Sequence, residues 1–150
     1  MTEPESDTQA LAEQSVAAVY DPDRASKGLG IRVVSVRPRA CVIAMTVRPD
    51  MVNGLSICHG GFVFTLADSA FAFACNTEGD RAVAASASID FLAAAHVGDE
   101  LTASARALWN GGRSGIYEVT VSNQHGAEIA LFRGRSYKVR AKPPASGSNQ

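Results

Sequence analysis

A chain of 150 residues with 46% apolar side chains is long enough for one domain with a real core. Its 14 basic and 15 acidic residues leave a net charge of −1, which argues against a general nucleic-acid or membrane-surface binder. Three cysteines, Cys41, Cys58 and Cys75, are odd in number and sparse, so they read as reduced, buried thiols of a cytoplasmic protein and not as a disulfide framework.

The chain starts without a basic-then-apolar leader, so no secretory signal is expected. Residues 2–9, "TEPESDTQ", are polar and read as frayed. Leu11, Val16, Val19 and Tyr20 fall at helical spacing, which predicts a helix over residues 10–20. "DPDRASKG" reads as a loop. "GIRVVSVRP" and "ACVIAMTVRP" are β-branched runs separated near Pro38, as in a hairpin or successive strands. "DMVNG" turns the chain into a long apolar segment, which "TEGD" ends. Four strand-like runs follow, "RAVAASASIDFLAAA", "DELTASARALW", "SGIYEVTVSN" and "AEIALFRGRSYKVRA", separated by the turn stretches "HVGD", "NGGR" and "NQHG". The final "KPPASGSNQ" has a disordered composition. The expected organisation is a tail and helix over 1–20, a folded domain over 21–141 and a disordered tail over 142–150. No internal repeat is evident.

The pattern is α+β: one long apolar helix, expected over residues 61–76, among about six antiparallel strands. The apolar run 62–75 is too short to span a membrane and carries Asp68. A helix apolar nearly all round must be buried nearly all round, and a curved sheet wrapped about it does this most simply. The other face of that sheet also needs cover, which one N-terminal helix cannot supply, so a second copy of the chain is expected.

Thr65, Asp68 and Ser69 stand at i, i+3 and i+4 and form one polar stripe, extended by the small residues Gly61 and Ala72. At the start of the helix, Gly60 and Gly61 expose backbone N–H groups at the positive end of the helix dipole, and without side chains they admit a ligand oxygen closely. An oxyanion-type donor set and a carboxylate on one element suit acyl transfer to water. Plainer readings compete. Gly60 and Gly61 are a turn, His59 is a cap, and Asp68 pairs with a buried arginine. Cys58 and His59 are adjacent, which is poor geometry for one metal, so no metal site is expected.

The segment "NGLSICHGGFVFTLADSAFAFACNT" resembles the hot-dog-fold acyl-CoA thioesterases of the phenylacetate-pathway (PaaI) type. The matching elements are Asn53 and Gly54, the His59, Gly60 and Gly61 triplet, Leu66 to Asp68, and the Ala/Phe-rich helix running to Cys75 and Asn76. The resemblance extends back through "DRASKGLGI" and forward through "SIDFLAAAHVGDELTA" and "ALFRGRSYKV", covering residues 21–139. It implies a hot-dog fold, chains paired edge to edge as dimers that assemble into a homotetramer, and an active site at the dimer interface. It implies Asp68 as general base or nucleophile, the amide of Gly60 or Gly61 as carbonyl donor, and Asn53 and His59 lining the site. The substrate would be (hydroxy)phenylacetyl-CoA or a related aryl or medium-chain acyl-CoA, with coenzyme A as part of the substrate and no other cofactor.

Ser86 and Ser88 are both available for the serine or threonine that some members place near the carboxylate. Arg113, Arg133, Arg135, Lys138 and Arg140 cluster near the last two strands and suit the CoA phosphates. Phe62, Phe64, Phe71, Phe73 and Phe91 are compatible with an aryl pocket or with plain core packing. Two other function classes remain, a hot-dog dehydratase or hydratase and a non-catalytic acyl-CoA-binding module. The first lacks its signatures here, and the second gives no reason for a carboxylate facing an N–H pair.

Overall fold

The structure, a computed structural model, describes residues 3–139. Its elements run α1 (Glu3–Tyr20), α2 (Arg24–Gly28), β1 (Arg32–Arg37), β2 (Ala40–Thr46), a 3-10 turn (Pro49–Met51), α3 (Gly60–Ala74), β3 (Ala82–Phe91), β4 (Glu100–Asn110), β5 (Ser114–Ser122) and β6 (Glu128–Lys138). The six strands form one antiparallel sheet in the order β1-β2-β4-β5-β6-β3. The sheet is open, with β1 and β3 as its edges. α3 touches β2, β3, β4, β5 and β6, so the sheet curves around it as its apolar circumference requires. Among the described residues no helix is long and apolar enough to cross a membrane.

The core lies between α3 and the inward side chains of the sheet. Phe71 and Phe73 of the helix are fully buried, as are Ile43, Met45, Leu101, Val119 and Phe132 of the strands. Burying each such side chain is worth about 1.5–3 kcal/mol. Phe71 packs its ring against Tyr117 and Phe132, with centroids 5.6 and 5.8 Å away. Gly134 makes this approach possible, because a Cβ there would stand 2.9 Å from the Phe71 ring.

The sequence expectations hold for the sheet and the long helix and fail in three places. Residues 3–9, expected frayed, form the first turns of α1. Acidic residues suit the N-terminal turns of a helix, and the Gln9 amide donates to the Val36 carbonyl at 2.7 Å, tying these turns to β1. The "DPDRASKG" loop contains α2, whose N-cap Asp23 accepts from the Ser26 N–H at 2.9 Å and the Ser26 hydroxyl at 2.6 Å. α3 begins at Gly60 and ends at Ala74, because the Asn76 side chain turns back to the Ala72 carbonyl and then pairs with both backbone groups of Ala82. The outer face of the sheet, expected to need cover, carries exposed Trp109, Leu131 and Tyr137 among polar side chains. Strand alternation puts Thr102, Ser104, Arg106, Glu118, Thr120, Arg133 and Arg135 there, with Glu118 paired to Arg106 and Arg133 at 3.4 and 3.5 Å. The polar stripe of α3 and the free edge of β3 are uncovered as well. The expected tail over 142–150 lies outside the described residues.

Candidate active site

Three of the first four N–H groups of α3 are spoken for. The His59 side chain caps the helix, its Nδ1 accepting from the Gly61 N–H at 2.9 Å. The His59 carbonyl accepts from Phe62 at 3.0 Å and from Val63 at 3.5 Å. The Gly60 N–H has no partner among the described residues. It sits at the positive end of the helix and opens on a cleft of about 360 Å³ that Asn53 and Phe91 also line. Of the two glycines expected to donate, Gly60 is therefore the one left with a free donor.

Asn53 organises the loop that leads into this helix. Its Oδ1 accepts from the N–H groups of Leu55 and Ile57, and its backbone pairs with Ile57 and Ser56. Ser56 holds a φ of 61° inside that turn, a left-handed conformation uncommon outside glycine. The Asn53 Nδ2 group has no partner among the described residues and lies at the cleft.

Asp68 stands eight residues beyond Gly60, about 12 Å along the helix at 1.5 Å per residue. Its stripe neighbours have partners: the Thr65 hydroxyl donates to the Gly61 carbonyl, and the Ser69 hydroxyl meets that of Ser26. The Asp68 carboxylate has no hydrogen-bond or ion-pair partner among the described residues. Among the described residues no arginine holds it, so the structural ion-pair reading finds no support there. Partial burial pushes its pKa above the ordinary carboxylate value.

The structure thus brings Asn53, His59, Gly60 and Gly61 together and sets Asp68 two turns away. Ser86 and Ser88 are elsewhere. Ser86 pairs with Arg135 and Ser88 with Arg133, so both face the outer side of the sheet, away from α3. They line a depression of about 300 Å³ with Arg133, Arg135 and Ile116. Among the basic residues, Lys138 is paired with Asp80 at 3.2 Å and Arg133 with Glu118. Arg113 lies over the Tyr137 ring, 5.8 Å from its centroid, and Arg135 reaches the Ser114 hydroxyl at 3.4 Å. Neither has an acidic partner among the described residues. Arg140 lies outside them.

Sequence reasoning left Phe91 among five phenylalanines of undecided role. Phe71 and Phe73 are core, Phe62 and Phe64 pack against it, and Phe91 is 56% exposed at the cleft. The Phe91 ring lies against Gly60, its Cζ 3.0 Å from where a Cβ would be. The alternation of β3 opposite Ala130 points Phe91 to the helix side, but nothing in the sequence pairs it with a glycine 31 positions earlier.

Residues 55–130 match the family profile described as the thioesterase superfamily. The acyl-coenzyme A thioesterase PaaI of Escherichia coli strain K12 is 44% identical over 126 residues, spanning 84% of this chain and 90% of that protein. The solved structure of the E. coli PaaI protein from the phenylacetic acid degradation operon superposes with a TM-score of 0.88 at 41% identity, covering 90% of this chain and 98% of that one. A Streptococcus mutans protein solved bound to acetyl-CoA superposes with a TM-score of 0.71 at 26% identity, covering 75% of this chain and 91% of that one.

Proposed function

The chain belongs to the thioesterase superfamily, has its hot-dog fold and is a thioester hydrolase; on that premise we propose that it cleaves acyl-CoA to the free acid and coenzyme A at a site shared between two copies. The observation that carries this is the separation of two unsatisfied groups on one rigid helix. A thioester oxygen bonded to the Gly60 N–H lies about 3 Å from that nitrogen, and a base acting on its carbon through one water works over a few ångströms more. The span of about 12 Å from Gly60 to Asp68 along one helix is too long for both roles at one carbonyl. A second chain supplies the missing half. The free edge of β3, a strand of 10 residues carrying exposed Val83 and Phe91, offers the place to pair with it.

In this reading the Gly60 N–H bonds the thioester oxygen and gains strength as negative charge develops there. Asp68 of the other copy takes a proton from the attacking water, or attacks the carbonyl carbon itself to give an anhydride that water then opens. The C–S bond breaks, the thiolate leaves with its electron pair, and one water divides between acid and thiol. Label found in the Asp68 carboxylate after single turnover in ¹⁸O-water identifies direct attack, with water opening the anhydride at the Asp68 carbonyl. His59 holds the helix start, and Asn53 shapes the loop and offers its amide to the substrate.

The similarity to PaaI supports phenylacetyl-CoA, its hydroxylated forms or related aryl and medium-chain thioesters as substrates. Arg113 and Arg135 are the cations best placed for the CoA phosphates, with Ser86 and Ser88 beside Arg135 and Lys138 released from Asp80 to join them. Dimers pairing into a homotetramer and a cytoplasmic location complete the proposal, the latter supported by three free buried cysteines. Release of free thiol from phenylacetyl-CoA is the test. A hydratase alters the acyl chain and a binding module alters nothing, and neither liberates coenzyme A.

A further inference from the structure

The cleft that opens at Gly60 has a built shape. It runs between the loop of residues 53–60 and the segment of residues 91–95, with a volume of about 360 Å³, inside the range of about 300–1,000 Å³ typical of small-molecule sites. Buried Val63 and Ile129 line it where the cleft meets the packed core. Phe91 and Leu92 stand on its rim, 56% and 50% exposed. Ala93, Ala94 and Ala95 follow in a row and leave the space that larger side chains would fill. Both ends of this segment are pinned, by the Leu92 N–H on the Ile129 carbonyl at 2.8 Å and by the Cys58 N–H on the Ala95 carbonyl at 2.7 Å.

We infer that this cleft receives the acyl tail of the substrate, and that Phe91 and Ala94 set the length and width of the acyl group accepted. The inference deepens the thioesterase reading and rests on it. A thioester whose oxygen meets the free Gly60 N–H has its carbonyl carbon at the mouth of the cleft, so one of its two substituents enters. The pantetheine arm carries amides, and burying each without a partner costs roughly 1–3 kcal/mol. Asn53 is the one polar side chain on the lining; its Oδ1 is engaged with the loop, and its free Nδ2 group can serve one acceptor but not both amides of the arm. An apolar acyl group needs no partner and gains from every buried methylene. The Phe91 ring, fixed against the Gly60 backbone, forms the wall beside the reacting carbonyl and suits a flat aryl or a linear chain.

The test is the ratio of kcat/KM for octanoyl-CoA to that for propionyl-CoA in wild type, Ala94→Leu and Phe91→Ala, with the inhibition constant of free coenzyme A measured in each. A ratio is independent of the fraction of folded enzyme. One methylene in an apolar pocket changes selectivity by roughly 10–200-fold. Ala94→Leu is expected to lower the ratio by at least about tenfold and Phe91→Ala to raise it, with inhibition by free coenzyme A unchanged. A ratio that stays constant in both variants overturns the inference. So does inhibition by free coenzyme A that weakens in step with the ratio, since that places the pantetheine arm in the cleft. Wild type that hydrolyses no acyl-CoA overturns the thioesterase reading and this inference with it, whereas active wild type with an unmoved ratio overturns this inference alone.

Discussion

Replacing Gly60 by proline removes one N–H and little else. Gly60 is the first residue of α3, where proline is tolerated because its φ suits the helix and the N–H is outside the helical ladder. The preceding residue must be extended, and His59, with φ −59° and ψ 132°, already is. The added atoms meet Phe91, whose Cζ lies 3.0 Å from the Cβ position. Gly60→Ala carries the same contact and keeps the N–H, so it is the matched control. If this donor stabilises the oxyanion, Gly60→Pro turns over about 10²–10³-fold more slowly than Gly60→Ala, equivalent to about 2.7–4 kcal/mol of transition-state stabilisation. The assay is thiol release from phenylacetyl-CoA under saturation, with circular dichroism to show that both variants fold. Equal kcat in the two folded variants would refute the assignment and return the role to Gly61 or to another donor.

Four further outcomes follow from the same geometry. Asp68→Asn should keep the fold and lose roughly 10²–10⁴-fold in kcat, the usual worth of a positioned acid–base group. The same variant should be more stable than wild type near neutral pH. The folded pKa of Asp68 is raised, so its charge destabilises the fold as pH rises through and above that pKa, and the difference vanishes below the unfolded value. Thermal melts at pH 7 and pH 3 check this, with about 2–4 °C expected per kcal/mol relieved. The acid limb of kcat/KM should lie above the ordinary carboxylate range and move in an active Asp68→Glu variant; an unmoved limb assigns that titration to another group. Cys41 and Cys75, whose pKa values are pushed up to about 12 by burial, should resist a thiol reagent at pH 8 until the protein is denatured, as counted by mass spectrometry.

The long helix and its polar stripe were legible because Thr65, Asp68 and Ser69 interrupt an otherwise apolar run at one spacing, and periodicity is what a sequence displays best. The strands were legible from β-branched runs between glycine turns. Which face each side chain of β3 presents was not. The stretch "VAASAS" alternates between alanine and serine, too weak a contrast to mark inside from outside. A bulge between Ala84 and Ser86 then shifts the parity, so Ser86 and Ser88 land on the outer face beside Arg135 and Arg133. The choice between the two glycines also lay beyond the sequence, because it depends on a His59 rotamer that consumes the Gly61 N–H.

The central claim is that one site is made from Gly60 of one chain and Asp68 of another. It is tested most directly by mixing Asp68→Asn chains with Gly60→Pro chains, each inactive alone, after native mass spectrometry has shown that mixed dimers form. In a mixed dimer one site carries both defects and the other carries neither. At equal random mixing, half the dimers are mixed, and about a quarter of all sites should recover wild-type turnover. Verified mixed dimers with no more activity than either parent would contradict a shared site and confine both groups to a single chain.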